Sequence, residues 1–216
     1  MAPKSLPLAV ACARIAFLPF VDGDEGPLPE GPAIVAANHS SFLDGPVVAC
    51  RYAWRVGRPL GFLLYDEPFR NPLFGWFLRT GRCLPFRRGN RESQAAALHA
   101  ALARLREGHA VGCFPEAHIN PGRRLGTFRP GAALLALESG APLVPAGIVG
   151  SDETMPFGTT WPRWGRKIHV RFGEALQFPD EAKAYPSAGR EERAELVETV
   201  LRRLRTEVAR LSEREE

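Results

Sequence analysis

The sequence has no apolar run long enough to cross a membrane as a helix. A transmembrane helix needs about 20 consecutive apolar residues, whereas the apolar stretch 6–21 is interrupted by Arg14 and bracketed by Pro7 and Pro19. The interruption is also untypical of a signal peptide. We expect a short helix within residues 1–21 that either lies on a membrane surface or packs against the rest of the chain.

Cysteine is scarce, and its spacing argues against two kinds of site. The four cysteines have neither the close pairing of a disulfide framework nor the spacing of metal ligands. We therefore expect no bound metal and a reducing, cytoplasmic compartment. The cysteines are Cys12, Cys50, Cys83 and Cys113, and the last three lie in apolar segments, as small core residues do.

A nucleophilic serine elbow is also missing. The sequence contains no Gly-x-Ser-x-Gly motif, which presents the attacking hydroxyl in many hydrolases. It also lacks the basic and aromatic stripe that is typical of nucleic-acid modules. The net charge of +4 favours an anionic partner, and we expect the anionic surface of a membrane, not a nucleic acid.

Apolar runs alternate with helical patterns along the chain. With 216 residues, 45% hydrophobic and 24% charged, the sequence predicts one globular domain over residues 1–216. The alternation predicts an α/β sandwich with a largely parallel central sheet flanked by helices. The predicted strands are 33–37, 60–65, 82–86, 110–114, 143–149 and 168–172, the last at a sheet edge; the predicted helices are 42–52, 68–79, 91–106, 131–138 and an amphipathic 191–210, and 21–32 is a predicted loop.

His39 and Asp44 are the most informative pair in the sequence. His39 follows the first predicted strand, and the spacing His-x₄-Asp adds a carboxylate shortly after it. Imidazole accepts a proton near neutral pH, and a carboxylate on its other nitrogen would fix the tautomer and stabilise the imidazolium. The pair would not share a face of a continuous helix. We expect an intervening serine to cap a helix that begins near Phe42, so that Asp44 reaches back to His39. The alternative is a loop histidine beside a carboxylate that only complements a helix dipole.

Further polar groups follow two later strands. Arg87 and Arg88 come after the third predicted strand, and Glu116 comes after the fourth. Because active sites of parallel α/β folds lie beyond the carboxyl ends of strands, we expect one site assembled from these loops and His39. A guanidinium matches the geometry of a phosphate. A solvated basic pair and a carboxylate at a helix start are the simpler alternatives.

These residues also carry a resemblance to a known family. In order along the chain, segments 39–44, 81–89, 114–116, 128–131 and 144–147 resemble the sequence blocks of the glycerolipid acyltransferase family. Its members are membrane-associated enzymes that acylate lysophosphatidic acid and related lysolipids. The resemblance implies transfer of a fatty acyl group from acyl-CoA or acyl-carrier protein to the hydroxyl of a lysophospholipid, with no other cofactor. The missing serine elbow favours direct transfer without an acyl-enzyme. The acceptor would be 1-acylglycerol-3-phosphate in phospholipid synthesis, on the inner face of the cell membrane.

The resemblance assigns roles to single residues. His39 would be the general base, and Asp44 would orient it. Glu116 would take part in acceptor binding and in organising the active site. Arg88, aligned on Pro85, takes the position of the phosphate-binding arginine, with Arg87 beside it.

The sequence departs from the family pattern after Glu116. The family continues as Gly-Thr-Arg-Ser, whereas this chain reads Ala-His-Ile-Asn over 117–120, so Ile119 stands where an arginine is expected. Arg123, Arg124 or Arg129 could replace the lost phosphate contact. Alternatively, the acceptor is a lysolipid without phosphate, such as an acyl-amino-acid lipid. A non-catalytic lipid-binding module is a third reading, against which the retained His39-to-Asp44 and Glu116 motifs argue.

Two aromatic segments remain open to several interpretations. The segment 68–79 is rich in aromatic side chains with flanking arginines, and it could line an acyl tunnel, dock on a bilayer or pack in the core. Trp161 and Trp164, beside Arg163 and Arg166, offer the same choice with less information.

Overall fold

The structure, a computed structural model, describes residues 21–23, 27–159, 161–163 and 165–216. The predicted N-terminal helix and Trp164 lie outside these ranges, within which no helix has the length and hydropathy to cross a membrane. The strands of the described chain are β1 (Val21–Asp22), β2 (Ile34–Ala37), β3 (Gly61–Tyr65), β4 (Leu84–Phe86), β5 (Val111–Cys113), β6 (Leu143–Val149) and β7 (Ile168–Phe172). Its helices are α1 (Asp44–Val56), α2 (Pro72–Thr80), α3 (Arg91–Arg106), α4 (Gly131–Ser139), α5 (Ser151–Thr154), α6 (Pro179–Ala184) and α7 (Arg190–Ser212), and Glu67–Arg70 forms a 3₁₀ turn.

The strands form one largely parallel sheet in the order β1-β7-β6-β2-β5-β3-β4. Neighbouring strands run parallel except β6 and β7. This confirms the predicted α/β architecture. The predicted edge position of 168–172 is wrong, because Val21 pairs with Ile168 and β1 covers that side of β7. The alternating pattern in β7 reports which sheet face is buried and carries no information about lateral neighbours.

Helices cover both faces of the sheet, and the central strand β2 divides the core in two. Ile34 and Ala36 pack with residues of α3, α4 and α7, whereas Val35 and Ala37 pack with α1 and Phe62. All four residues of β2 are fully buried, as expected for a strand of a parallel sheet covered on both sides. This central strand delivers His39 at its carboxyl end.

The aromatic segment 68–79 is divided into two pieces. Glu67–Arg70 is a 3₁₀ turn and α2 begins at Pro72, with Asn71 between them in an extended conformation (φ −70°, ψ 124°). Proline disfavours the helical conformation in the preceding residue, which accounts for the break. A single helix over this segment is therefore not observed.

The C-terminal helix α7 packs closely on β6. A Cβ at Gly147 would lie 2.2 Å from the backbone carbonyl carbon of Leu211, so only glycine allows this approach. Beyond α7 the chain reaches the loop that follows β5, where Glu215 N donates to Arg123 O at 3.0 Å and Leu125 N donates to Glu215 O at 2.9 Å. The C-terminal segment thereby supports a loop of the candidate site.

Candidate active site

His39 and Asp44 come together in the turn between β2 and α1. His39 Nδ1 lies 2.9 Å from Asp44 Oδ2, and the Asp44 side chain is fully buried. The imidazole stacks on Phe114, with ring centroids 4.0 Å apart and an interplanar angle of 13°. A carboxylate oxygen accepts hydrogen bonds, so this contact selects the tautomer with its proton on Nδ1, in which Nε2 is an acceptor. No described residue hydrogen-bonds to Nε2, and 18% of the side chain is exposed.

The turn is organised mainly by the Asp44 carboxylate, with a smaller contribution from Ser41. Asp44 Oδ2 also accepts the backbone N–H groups of Ser40 at 2.6 Å and Ser41 at 2.8 Å. The helix begins at Asp44, and Leu43 before it makes no side-chain capping bond. Ser41 Oγ accepts Leu43 N at 3.3 Å, so the predicted serine contact is present. The helix nevertheless begins two residues after Phe42, and the shorter bonds come from Asp44. A charged acceptor forms stronger bonds with backbone N–H groups than a hydroxyl does.

The two serines also connect this turn to the segment after β6. Ser41 Oγ donates to Met155 O at 2.8 Å, and Ser40 Oγ lies 3.2 Å from Ser151 Oγ. Both serine side chains are buried. These contacts give them a structural part in the site, in agreement with the absence of a nucleophile motif around them.

Glu116 lies beneath the site with no exposed surface. Its Oε1 accepts the backbone N–H of His39 at 2.9 Å. Its Oε2 accepts the Asn120 side-chain amide at 2.9 Å and the Gly126 N–H at 2.7 Å. The carboxylate therefore fastens the loop after β5 to the loop that carries His39. Both oxygens are occupied, so the geometry favours the organising part of the role implied for Glu116 over direct contact with an acceptor.

Two asparagines that the sequence analysis did not select complete this framework. Asn120 N donates to His39 O at 2.6 Å, so Asn120 contacts both His39 and Glu116. Asn38 Nδ2 donates to Ile148 O at 3.0 Å and its Oδ1 accepts Ile148 N at 2.7 Å, which ties the end of β2 to β6. The Asn38 partner is 110 residues away. Sequence spacing alone gives no signal for such a contact.

Arg88 is connected to the loop of Glu116 through an aromatic contact. Its guanidinium carbon is 4.2 Å from the centroid of the Tyr65 ring. The Tyr65 hydroxyl donates to Ala117 O at 2.7 Å, next to Glu116. Strand β4 lies three strand positions from β2, a distance of about 14 Å, and the Tyr65 contact connects Arg88 to the loop after β5. The neighbouring Arg87 is exposed, and its Nε lies 3.5 Å from Asp66 Oδ2.

The other proposed arginines are placed less favourably. Arg124 Nη2 donates to Glu216 O at 3.0 Å and its Nε lies 3.8 Å from Glu215 Oε2. The structure therefore does not bring the Arg124 guanidinium to His39. Arg129 is exposed, and its backbone N–H donates to Pro115 O at 2.7 Å. It lies beside the loop of Glu116, and no described carboxylate pairs with its side chain.

A further arginine lies under the segment that departs from the family pattern. Arg214 Nη1 donates to Asn120 O at 2.7 Å, and its Nη2 lies 3.4 Å from Asp152 Oδ2. Only 8% of the Arg214 side chain is exposed. It comes from the segment after α7, where no motif in the sequence marks it. Ala117, in the same loop, has a left-handed backbone with φ 60°.

Two of the cysteines are wholly or partly buried, which makes their thiols unreactive. Burial raises the pKa of the Cys113 and Cys50 thiols to about 12. A thiol with so high a pKa is almost entirely protonated at neutral pH and is a poor nucleophile. Among the described residues, no group of three or more His, Cys, Asp or Glu side chains is arranged to hold a metal ion.

A small apolar cavity begins next to Asp44. It has a volume of about 50 Å³ and lies between α1, β3 and α2. Residues that line it include Gly45, Ala49, Phe62, Leu64 and Leu78. Its position joins the aromatic segment of α2 to the turn that holds the catalytic candidates.

The sequence is similar to known acyltransferases. The family model described as Acyltransferase matches residues 20–149. The chain belongs to the acyltransferase family. Among its relatives, the chloroplastic 1-acyl-sn-glycerol-3-phosphate acyltransferase LPAT1 of Arabidopsis thaliana is 30% identical over 157 residues, which are 70% of this chain and 43% of that protein. The lyso-ornithine lipid O-acyltransferase of Pseudomonas aeruginosa is 33% identical over 150 residues, which are 69% of this chain and 54% of that protein.

The acyltransferase fold is also shared with a solved structure. The crystal structure of the 1-acyl-sn-glycerophosphate (LPA) acyltransferase PlsC from Thermotoga maritima has a TM-score of 0.65 and 24% sequence identity. The match covers 92% of this chain and 77% of that chain. The chain spans less than half the length of the LPAT1 relative, so the activity and substrates of that protein are not transferred by the match itself.

Proposed function

We propose that the protein transfers a fatty acyl group from a thioester donor to the hydroxyl of a lysophospholipid. The observation that carries this proposal is the contact between His39 Nδ1 and the buried Asp44 carboxylate, which leaves Nε2 as the basic nitrogen. Membership of the acyltransferase family supports the reaction class. The donor is acyl-CoA or acyl-carrier protein, and it acts as a substrate.

In this reaction His39 acts as the general base. The acceptor hydroxyl oxygen attacks the thioester carbonyl carbon while its proton moves to His39 Nε2. The C–S bond then breaks, and the departing sulfur takes the proton from the imidazolium. The products are the acylated lipid and the free thiol. Asp44 stabilises the imidazolium and holds the tautomer, as the aspartate of a catalytic triad does.

The cavity beside Asp44 offers a place for the end of the acyl chain nearest the thioester. Its lining is apolar, and it opens next to the turn that holds His39. A volume of about 50 Å³ holds only a small part of a fatty acyl chain, so α2 has to move for a long chain to enter. Replacing Ala49 by Leu should therefore lower kcat/KM for long-chain donors more than for short-chain donors.

For the acceptor we favour 1-acylglycerol-3-phosphate, with Arg88 as the main anchor for its phosphate. The Arg88 guanidinium stacks on Tyr65, whose hydroxyl binds Ala117 O next to Glu116. By contrast, Arg87 is next to Asp66 and Arg124 is paired with Glu215. Arg129 is the supporting candidate on the loop of Glu116. This acceptor class places the enzyme on the inner, cytoplasmic face of a membrane with an anionic surface, where residues 1–21 would provide further contact.

An acceptor without an exposed phosphate is the second candidate. Ile119 replaces the arginine expected from the family pattern, and Arg214 in that region already binds Asn120 and Asp152. The match to a lyso-ornithine lipid O-acyltransferase is in keeping with this alternative. The acceptor would then be a lysolipid built on an amino acid.

The two acceptors are distinguished with one labelled acyl donor and a panel of lysolipids. Arg88→Ala should lower kcat/KM for the phosphorylated acceptor by about one to two powers of ten, since a charge-assisted hydrogen bond contributes roughly 1.5–3 kcal/mol. Arg87→Ala is the matched control and should have a much smaller effect, because its side chain is exposed beside Asp66. Equal losses on phosphorylated and neutral acceptors would make Arg88 structural. Thioester cleavage that does not depend on any acceptor would contradict acyl transfer.

A further inference from the structure

Large aromatic side chains are exposed next to the candidate active site. Phe42 and Phe157 are 55% and 61% exposed, and their rings stack with centroids 5.7 Å apart. Trp161, four residues after Phe157, is 81% exposed. Single exposed apolar residues are common, but clustered exposed aromatic side chains mark binding surfaces. We call Phe42, Phe157 and Trp161 the aromatic rim.

The aromatic rim is fastened to the turn that holds the catalytic candidates. Phe42 lies between His39 and Asp44 in the sequence, within the turn organised by the Asp44 carboxylate. The hydrogen bond from Ser41 Oγ to Met155 O, at 2.8 Å, joins this turn to the segment that carries Phe157. The two phenyl rings are therefore held in place by the bonds that shape the site. Whatever binds the rim lies beside His39.

The segment that carries two of the rim residues is positively charged. Between residues 155 and 167 the sequence contains no Asp or Glu and three cations, Arg163, Arg166 and Lys167. Arg163 N donates to Thr154 O at 2.7 Å, which returns the chain to the start of the segment. Arg166 makes an exposed pair with Glu153 at 3.0 Å, and such pairs contribute little and exchange readily. Aromatic side chains flanked by cations are typical of elements that lie in the headgroup region of an anionic bilayer.

We propose that the aromatic rim inserts into the surface of an anionic lipid bilayer and docks the mouth of the active site on it. This inference rests on the proposed function, in which the acceptor is a membrane amphiphile. Docking through the rim would present the acceptor hydroxyl to His39 at the bilayer surface. The aromatic rim would therefore contact the bilayer next to the active site, and this contact is separate from any contact made by residues 1–21.

The first test is the binding of the full chain to vesicles in the absence of substrate. The vesicles contain phosphatidylglycerol in phosphatidylcholine, with vesicles of phosphatidylcholine alone as the neutral comparison. The double variant Phe42→Ser/Phe157→Ser should lower the partition coefficient on the anionic vesicles about tenfold or more, because it removes two large apolar groups from the contact. Added salt should weaken binding of the parent protein.

A matched control comes from the other end of α1. Trp54 is 44% exposed and lies about 15 Å along the helix from Asp44, so Trp54→Ser should leave vesicle binding unchanged. Thermal unfolding of all variants should match the parent protein, since the substituted rings are exposed. Unchanged partition of the double variant overturns the proposal, as does an equal loss in Trp54→Ser.

Tryptophan fluorescence gives a second, independent readout. Brominated lipids should quench the emission of the parent protein on binding, and the quenched fraction should fall in Trp161→Phe. Quenching that is identical in the two proteins overturns the placement of the rim in the bilayer. A higher KM for acyl-carrier protein in the rim variants, with vesicle binding unchanged, would show a protein-docking surface in its place.

Acyl transfer is assayed separately with detergent-dispersed lysolipids. This assay distinguishes a failure of the docking proposal from a failure of the proposed acyl-transfer function. The single variant Phe157→Ser, which leaves the catalytic turn intact, should retain turnover there and lose it with vesicle-borne acceptor. Full turnover together with unchanged vesicle binding would remove the docking proposal and leave the proposed function. Absent turnover in the parent protein, together with impaired vesicle binding in the variants, would remove the proposed function and leave the docking surface.

Discussion

The buried carboxylate of Glu116 allows a direct test of how the site is organised. It accepts three hydrogen bonds, from His39 N, the Asn120 side chain and Gly126 N. Glu116→Gln keeps the volume of the side chain but replaces one acceptor oxygen by a donor NH₂ group. If the amide oxygen takes the place of Oε2, the NH₂ group faces the N–H of His39; in the opposite orientation it faces the other two donors.

The magnitude follows from these contacts. In the first orientation, the hydrogen bond from His39 N becomes a contact between two donors. The other two hydrogen bonds remain, but they are weaker because their acceptor is no longer charged. A buried bond to a charged group contributes about 1.5–3 kcal/mol, so we expect Glu116→Gln to lower the free energy of unfolding by about 2–4 kcal/mol. Glu116→Ala removes all three acceptor contacts and should cost about 4–6 kcal/mol. Both losses are large beside the 5–15 kcal/mol of a typical domain.

Urea unfolding measures the stability and the acyl-transfer assay measures the activity of the same samples. The exposed Glu138 provides the control, and Glu138→Gln should change the free energy of unfolding by less than about 0.5 kcal/mol. A Glu116→Gln protein with unchanged stability and lost turnover would refute the organising role. The carboxylate would then act on the acceptor itself.

Three further predictions concern single residues near the site. Ala117→Gly should raise the free energy of unfolding by up to about 1 kcal/mol in urea melts, because the left-handed backbone at φ 60° is strained for alanine; a lower stability would contradict this. Arg214→Ala should cost about 2–3 kcal/mol and lower kcat, since it frees the loop through Asn120; unchanged values of both would show that the loop is held otherwise. Because burial raises the pKa of Cys113 to about 12, mass spectrometry should find it resistant to alkylation at neutral pH until the protein is denatured, and rapid labelling of the folded protein would count against that burial.

The sequence predicted the strands well because each is a short apolar run bounded by turn residues. Helix α1 was predicted less well at its start than at its end. Its end is marked by Gly57, with φ 71°, whereas its start depends on hydrogen bonds from backbone N–H groups to the Asp44 carboxylate. The short strand β1 was missed since two residues carry no periodicity. Its pairing with β7 depends on contacts between segments that are far apart in the chain.

The candidate site likewise combines local contacts, which the sequence predicts, with long-range contacts, which it does not predict. The contact of His39 with Asp44 is local, and their spacing was enough to suggest it. Glu116 was selected from its sequence block, but the donor that ties it to the catalytic loop, His39 N, lies 77 residues away in the sequence. Arg214 lies 94 residues from Asn120, and its contribution depends on how α7 packs on β6. Such long-range contacts arise from the packed fold and leave no pattern in a single sequence.

The most direct test of the central claim is the turnover number of His39→Ala with a labelled acyl thioester and a lysolipid acceptor. If His39 removes the proton from the acceptor hydroxyl, kcat should fall by about 10²–10⁴, while the circular dichroism spectrum and the unfolding midpoint stay close to those of the parent protein. The exposed His99 in α3 serves as the control, and His99→Ala should keep full turnover. Near-parental turnover in a folded His39→Ala protein would contradict the account.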